Sequence, residues 1–191
     1  RRGGQVHVDT IGLRTRGSNE PMRRDTIFRI ASMSKPITAA ATMILVDDGK
    51  LRLDEPIDRL IPELADRKVL PRIDGPIEDA VPARRPITVR DLLTFTMGFG
   101  FLFPLDAYPV QKAAIGLDIG YEIPRPRSEP PPDEWIRRFA TLPLMYQPGE
   151  QWVYHTGSDL LGVVIARAAG QPFDRFLAER LFGPLGMKDT G

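Results

Sequence analysis

The chain has 191 residues, of which 42% are hydrophobic and 27% are charged, and its formal net charge is +1. This profile is typical of a soluble globular domain with a core of its own. The near-neutral charge gives no reason to expect nucleic acid or an anionic membrane surface as a partner. The sequence has no cysteine, which excludes disulfides, thiolate metal sites and a cysteine nucleophile.

Two further classes of protein are disfavoured by the residue pattern. The two histidines, His7 and His155, do not form an H-E-x-x-H motif, so a zinc hydrolase is not expected. No stretch approaches the ~20 apolar residues of a membrane span. Arg1 is not an initiator residue, and we expect the natural N-terminus, with any targeting signal, to lie upstream.

The first thirty residues predict a β-hairpin. Val6 and Val8 alternate with polar residues over 5–13, and residues 26–30 form the second predicted strand after a segment with turn residues. His7 then points outward from its strand rather than into a site. An isolated two-stranded hairpin is marginally stable in water, so this one needs a covering partner.

The rest of the chain predicts mainly helices. Over residues 36–46 apolar side chains recur at i, i+3 and i+4, which indicates a helix with one buried face. Thr88 and Asp91 match the T-x-x-D form of a capping box, and Ser158 and Gly170 are the expected start and end signals of a later helix. The predicted helices lie at 36–46, 87–95, 133–141, 158–169 and about 172–182, with short helical turns over 51–64.

Two segments between these helices predict loops. Residues 66–87 are broken by prolines, and residues 98–134 are long, proline-rich and aromatic. A loop as long as the second one, inside a compact domain, is usually functional or mobile.

Residues 32–35, Ser-Met-Ser-Lys, form an S-x-x-K motif just before the predicted helix at 36–46. One interpretation is structural, because serine is a common N-cap and proline a common first-turn residue. The other is catalytic, because residues three apart on a helix share a face and the Lys35 amine can then take a proton from Ser32. The helix N-terminus would also offer the Ser32 N–H to an oxyanion. This spacing alone leaves both interpretations open.

Four segments in order resemble the serine β-lactamase superfamily, in its class C and penicillin-binding-protein-like branch. They are FRIASMSKPITAAATMILVDDGKLRLDEPI (28–57), ITVRDLLTFTMGFG (87–100), QPGEQWVYHTGSDLLG (147–162) and LFGPLGMKDTG (181–191). The resemblance implies an α+β fold of the β-lactamase/transpeptidase type, with an antiparallel sheet lobe and a mostly helical lobe. It favours the catalytic interpretation of residues 32–35.

Departures from the superfamily pattern narrow the resemblance. Phe95 and Met97 stand where the commonest pattern has His and Ser, and Thr156 stands where a class C β-lactamase has Asn. The shortened second motif is most similar to that of the family VIII carboxylesterases. These departures favour acyl transfer on esters over turnover of β-lactams.

The resemblance also implies roles for individual residues. Ser32 is the expected nucleophile, Lys35 assists it, and Tyr154 is the second proton-handling residue, preferred over Tyr146 because of the P-G-x-x-W-x-Y spacing. His155 is expected to point away or to pack. The candidate substrate-contacting residues are Phe99, Phe101, Trp152 and Thr156.

The expected function is hydrolysis of a small-molecule carboxylic ester through an acyl-enzyme, with no cofactor or metal. A β-lactamase or D-Ala-D-Ala peptidase acting on β-lactams or cell-wall peptides is the first alternative, and a non-catalytic binding module of the same fold is the second. The sequence indicates neither nucleic acid nor a membrane as a partner. It does not decide whether the protein forms a homo-oligomer. The third superfamily motif, K-T-G or H-x-G on a strand, does not follow the second, so we expect residues 1–191 to be the N-terminal and helical portion of a larger domain.

Overall fold

The structure is a computed structural model that describes residues 3–121 and 130–191. It forms two compact units, Arg1–Ser34 and Lys35–Gly191. None of the helices in the described ranges is both long and apolar enough to cross a membrane.

The first unit consists of turns and isolated bridges instead of the two predicted strands. Leu13 pairs with Pro21 in one antiparallel bridge, and the N–H of Arg14 donates to the carbonyl of Glu20 at 2.9 Å. The predicted strand extents over 5–13 and 26–30 are therefore wrong. Two strands alone are marginal. The apolar side chains in the described part of this unit are largely exposed, so these residues form no core that would support longer pairing. A single 3₁₀ turn, Ala31–Met33, follows.

Helices dominate the rest of the chain. They are α1 (Ser34–Asp47), α2 (Val89–Leu93), α3 (Pro109–Gly116), α4 (Pro132–Ala140), α5 (Thr156–Ala169) and α6 (Phe173–Leu177), with 3₁₀ turns at Ile57–Arg59, Pro62–Leu64 and Ile77–Asp79 and a π-helical turn at Ala178–Phe182. This mostly helical content, with one small antiparallel sheet, agrees with the predicted α+β class.

A short sheet lies within residues 66–87, which the sequence predicted as a loop. Strand β1 (Lys68–Val69) pairs antiparallel with β2 (Val81–Pro82), and Val69 also bridges Leu144 in parallel. Two-residue strands are too short to produce an alternating pattern, which is why the sequence did not reveal them.

The core of the second unit is built around α5. Leu160, Val164 and Ile165 of this helix are fully buried, and both α2 and α6 pack against it. On α1, Ala41 and Leu45 are fully buried as the periodicity predicted.

Helix ends test the local predictions. The predicted capping box is confirmed, since the Thr88 side chain accepts from the Asp91 N–H and the Asp91 carboxylate accepts from the Thr88 N–H. Gly170 ends α5 in the left-handed region, as predicted. Ser158 is not the cap, because α5 begins two residues earlier, after His155.

The long segment at 98–134 contains α3, which the sequence analysis missed. At its start the Gln111 side-chain oxygen accepts the Tyr108 N–H at 2.9 Å, a contact between residues without a strong start signal. Residues 122–129 of the predicted loop lie outside the described residues.

Candidate active site

The start of α1 brings Lys35 against the segment that precedes α5. The Nζ atom of Lys35 lies 5.0 Å from the centroid of the Tyr154 ring, within the range of a cation–π contact. Both side chains are half-buried. Two of the three predicted catalytic residues, far apart in sequence, therefore meet within the second unit.

Backbone pairing fixes the position of the Tyr154 segment. The N–H of Phe101 donates to the Tyr154 carbonyl at 2.7 Å, and the N–H of Val153 donates to the Phe95 carbonyl at 2.8 Å. Gly100 permits this close approach, because a Cβ there would collide with the carbonyl oxygens of Val153 and Tyr154.

Three aromatic rings form a continuous surface beside Lys35. Trp152 stacks on Tyr154 with 5.9 Å between ring centroids, and Phe95 contacts both rings at 6.0 and 5.6 Å. Trp152 is 63% exposed, so the apolar face is open to a ligand.

His155 lies between Lys35 and α5. Its Nδ1 atom is 3.2 Å from Nζ of Lys35, and its Nε2 atom is 3.4 Å from a carboxylate oxygen of Asp159. The ring stacks on Phe101 with 4.0 Å between centroids. The sequence analysis expected His155 to pack or to point away; it packs, but its polar edge faces Lys35.

The electrostatic surroundings keep the His155 ring neutral. Burial, and secondarily the charge of Lys35, lower the pKa of His155 from 6.5 to about 4. The ring therefore has one N–H donor and one nitrogen acceptor near neutral pH.

The backbone at His155 is strained. Its φ of 94° and ψ of −76° match the positive-φ γ-turn, which is rare for a residue with a side chain. Such strain costs on the order of 1–3 kcal/mol and is found mainly where function requires a fixed geometry.

Helix α3 supports residues 100–102, which include the ring that stacks on His155. Gln111 is fully buried; its side-chain amide donates to the Leu102 carbonyl at 2.6 Å and to the Tyr121 hydroxyl at 3.1 Å. The Tyr121 hydroxyl donates in turn to the Gly100 carbonyl at 2.6 Å. This network holds residues 100–102 in place beneath the His155 ring.

Ser32 lies in the exposed 3₁₀ turn Ala31–Met33 of the first unit. The residue before it, Ala31, has a φ of 44°. Strained backbone therefore lies next to Ser32, just as the strained residue His155 lies next to Tyr154. The Ser34 hydroxyl donates to the Ala31 carbonyl at 2.6 Å. The expectation that Ser32 and Lys35 belong to one helix is wrong in detail, because α1 begins at Ser34.

Two of the candidate substrate-contacting residues are buried. Phe99 is fully buried in the core, with its ring against Phe139 and Tyr121, so it is not accessible to a ligand and that assignment is corrected. Thr156 is also buried, as the first residue of α5. Trp152 and Phe101 remain at the surface or partly exposed.

In residues 3–121 and 130–191, His, Asp and Glu side chains do not gather in groups of three or more that would hold an ion.

Comparison with family sequence models places the chain in a known class of proteins. The sequence model of the Beta-lactamase family matches residues 1–191, so the chain belongs to that family, whose members share the β-lactamase-like fold. The resemblance found in the four sequence segments is thereby confirmed.

Individual relatives give a finer comparison. Protein Rv1367c of Mycobacterium tuberculosis is 44% identical over 97% of this chain and 44% of its own length. Esterase EstB of Burkholderia gladioli is 37% identical over the whole chain and 45% of its own length. The structure of EstCE1, "a hydrolase with promiscuous acyltransferase activity", superposes with a TM-score of 0.74 at 28% identity, covering 92% of this chain and 42% of that one. The chain thus spans less than half the length of these relatives.

Proposed function

We propose that the complete protein is a serine carboxylesterase that works through an acyl-enzyme on Ser32. The observation that carries this proposal is the 5.0 Å approach of Lys35 to the Tyr154 ring. The S-x-x-K spacing places Ser32 three residues before that lysine. The 37% identity to a protein named as an esterase gives independent support.

The proposed chemistry is acyl transfer in two steps. Ser32 Oγ attacks the ester carbonyl carbon and forms a new C–O bond, while its proton passes to Lys35. The bond to the alcohol then breaks, and the departing oxygen takes a proton from the Lys35–Tyr154 pair. Water attacks the acyl-enzyme with Tyr154 as base, which releases the carboxylic acid and restores the Ser32 hydroxyl.

The open aromatic face favours esters with short acyl groups. Phe95 and Trp152 offer apolar contact area beside Lys35, and Phe101 adds a partly exposed ring. With Thr156 buried in place of an asparagine amide, the site lacks the side chain that class C β-lactamases present at this position.

A substrate comparison tests the reaction class. The complete protein should hydrolyse p-nitrophenyl acetate or butyrate far faster than a cephalosporin, measured as kcat/KM. The reverse ranking would favour the β-lactamase alternative and overturn the esterase proposal.

Covalent labelling tests the nucleophile. A fluorophosphonate should label Ser32, identified by peptide mass spectrometry, and Ser32→Ala should lose activity by about 10⁴-fold or more. Ser34→Ala is the matched control, because it changes the neighbouring serine and leaves S-x-x-K intact, so it should retain labelling at Ser32. Lys35→Ala and Tyr154→Phe should each lower kcat by about 10²- to 10⁴-fold. A folded protein without labelling would indicate a non-catalytic binding module.

A further inference from the structure

His155 is held on three sides by groups of different chemistry. Its Nδ1 atom faces Nζ of Lys35 at 3.2 Å, its Nε2 atom faces Asp159 at 3.4 Å, and its ring lies on Phe101. The side chain is only 15% exposed. The imidazole therefore joins α1 to the first turn of α5 through polar contacts at both nitrogens.

The partners determine which nitrogen carries the proton. An ionised carboxylate only accepts hydrogen bonds, so the ring N–H belongs on Nε2, where it points to Asp159. The Nδ1 lone pair is then available to accept an N–H from Lys35. The Phe101 stack fixes the plane of the ring and with it the direction of this lone pair.

We propose that His155 is a positioning residue for Lys35, which uses its Nδ1 lone pair to direct the lysine amine toward the reacting atoms. This inference rests on the proposed function. With one N–H of Lys35 fixed by His155 and the amine held over the Tyr154 ring, the remaining valences of Nζ have a defined direction. Asp159 acts through His155 by selecting the tautomer.

A direct role in proton transfer is disfavoured. The pKa of His155 is lowered to about 4, so about one ring in a thousand is protonated at pH 7. The ionisable groups that face the ring are Lys35 from α1, Asp159 from α5 and the adjacent Tyr154. Orientation by a neutral acceptor is what this environment permits.

The backbone conformation of His155 is separate support for a positioning role. His155 adopts a φ of 94°, a conformation that residues with side chains rarely hold. Strain of this kind persists only where the surroundings fix it, and it is concentrated at sites whose geometry matters for function.

Two substitutions separate orientation from packing in the complete protein. His155→Phe keeps a ring to stack on Phe101 and removes the acceptor, whereas His155→Asn keeps an acceptor close to the Nδ1 position and removes the ring. If the acceptor orients Lys35, kcat for p-nitrophenyl butyrate should fall by about 10- to 100-fold in His155→Phe and the basic limb of its pH profile should shift. His155→Asn should stay within a few-fold of the unsubstituted protein.

The opposite order, with His155→Phe active and His155→Asn impaired, would show that packing alone matters and would overturn the proposal. An equal fall of kcat in both variants would also overturn it. Because phenylalanine at positive φ can impair folding, Asp159→Leu provides a second variant that leaves the His155 backbone and ring in place. It should lower kcat several-fold and allow the ring proton to occupy Nδ1 as well as Nε2. An unchanged kcat with the proton still on Nε2 would contradict the role given to Asp159.

Nitrogen NMR tests the contact without any substrate. The signals that disappear in His155→Asn are those of His155, which assigns them in the complete protein. We expect a neutral ring protonated on Nε2 from pH 5 to 8, with an Nδ1 shift that changes in Lys35→Met. A ring protonated on Nδ1, or an Nδ1 shift indifferent to Lys35→Met, would refute the inference. Failure of Ser32 labelling would instead refute the proposed function and leave this measurement valid.

Discussion

Asp91 and Asp54 each accept two hydrogen bonds from one arginine, but only Asp91 is buried. Arg85 donates to Asp91 at 2.6 and 2.8 Å, and Arg90 donates to Asp54 at 2.6 and 2.9 Å. The side-chain exposures of the two aspartates are 6% and 76%. Burial raises the pKa of Asp91, but the hydrogen bonds from Arg85 and Thr88 outweigh it, so the pKa lies below its ordinary value.

We expect Asp91→Asn to lower the free energy of unfolding by about 2–4 kcal/mol, because Arg85 and the helix cap both lose their contact with a buried carboxylate. Asp54→Asn should change stability little, since its charges are solvated. Urea unfolding of the complete protein measures both. An equal loss in the two variants would contradict the argument from burial.

His155 should make the folded state sensitive to mild acid. Its pKa is about 4 when folded and 6.5 as the ordinary value, so between these pH values the unfolded chain binds a proton that the folded chain does not. Stability contributed by the neutral ring is complete above pH 6.5 and is lost as the pH falls toward 4.

The expected loss is on the order of 2 kcal/mol, less than the full shift implies because part of the ring meets solvent. Unfolding free energies at pH 7 and pH 4.5 should differ by a smaller amount in His155→Asn than in the unsubstituted protein. An identical pH dependence in both would mean that His155 titrates normally.

At the scale of single residues, sequence reasoning paired Lys35 with Tyr154 but did not place His155 beside Lys35. The motif spacings pointed to the two residues that the structure brings together. Nothing local in the sequence distinguishes His155 from a surface histidine, because its burial depends on Phe101, which lies 54 positions earlier and contacts it only in the fold. Phe99 was misassigned for the same reason: alternation along 99–101 does not say which ring enters the core.

The turn at Gly98 packs against the backbone of residues 145–146 and leaves no room for a side chain. Its φ is 95°, and a Cβ would collide with the carbonyl oxygen of Tyr146. That carbonyl cannot move freely, because the N–H groups of Met145 and Tyr146 donate to the Gly98 carbonyl at 2.8 and 3.1 Å. The segment leading to the Tyr154 pairing therefore depends on glycine at this position.

We expect Gly98→Ala to destabilise the complete protein by about 2–4 kcal/mol, from backbone strain plus a steric collision. Gly116→Ala is the matched control, because Gly116 lies in α3, has an ordinary φ and has open space around it. It should be neutral or stabilising by up to about 1 kcal/mol. Thermal melts followed by circular dichroism distinguish the two, and a tolerated Gly98→Ala would refute the steric argument.

Helices with a repeated apolar pattern or a capping motif were predictable from the sequence. Strands that form only by pairing with a distant segment were not. Helices α1 and α5 follow from i, i+3, i+4 spacing, and α2 from its capping box. The β1–β2 ladder depends on a partner segment more than ten residues away. The two strands predicted before residue 31 do not form, and nothing in the described part of that unit covers the apolar side chains of those segments.

Exposed apolar side chains in the first unit bear on how the whole molecule behaves. Ile11, Ile27 and Phe28 are 86, 80 and 63% exposed, more than a soluble surface normally shows in one short segment. The relatives are about twice as long as the matched chain. Residues 1–191 produced alone would therefore present an apolar surface in the first unit.

We therefore expect residues 1–191 produced alone to be poorly soluble, to bind the dye ANS, and to resist acylation at Ser32 by a fluorophosphonate. The complete protein should be soluble and should not bind the dye. Ile11→Ser with Ile27→Ser should improve the solubility of residues 1–191 while lowering the stability of the complete protein. A soluble, cooperatively melting and labelled 191-residue protein would show that the expectation is wrong.

The two tryptophans of the chain sit in opposite surroundings. Trp135 is buried, stacks on Phe139 at 5.3 Å and donates its indole N–H to the Ile119 carbonyl at 2.8 Å, whereas Trp152 is exposed on Tyr154. Indole emission shifts to the red in water, so Trp135 contributes a blue component from the core and Trp152 a red one from the aromatic face. A complete protein in which Trp152 is the one tryptophan retained, with Trp135 and any other replaced by Phe, would be an optical sensor whose emission colour and intensity follow occupancy of that face by an unlabelled ester, in real time and without a chromogenic leaving group.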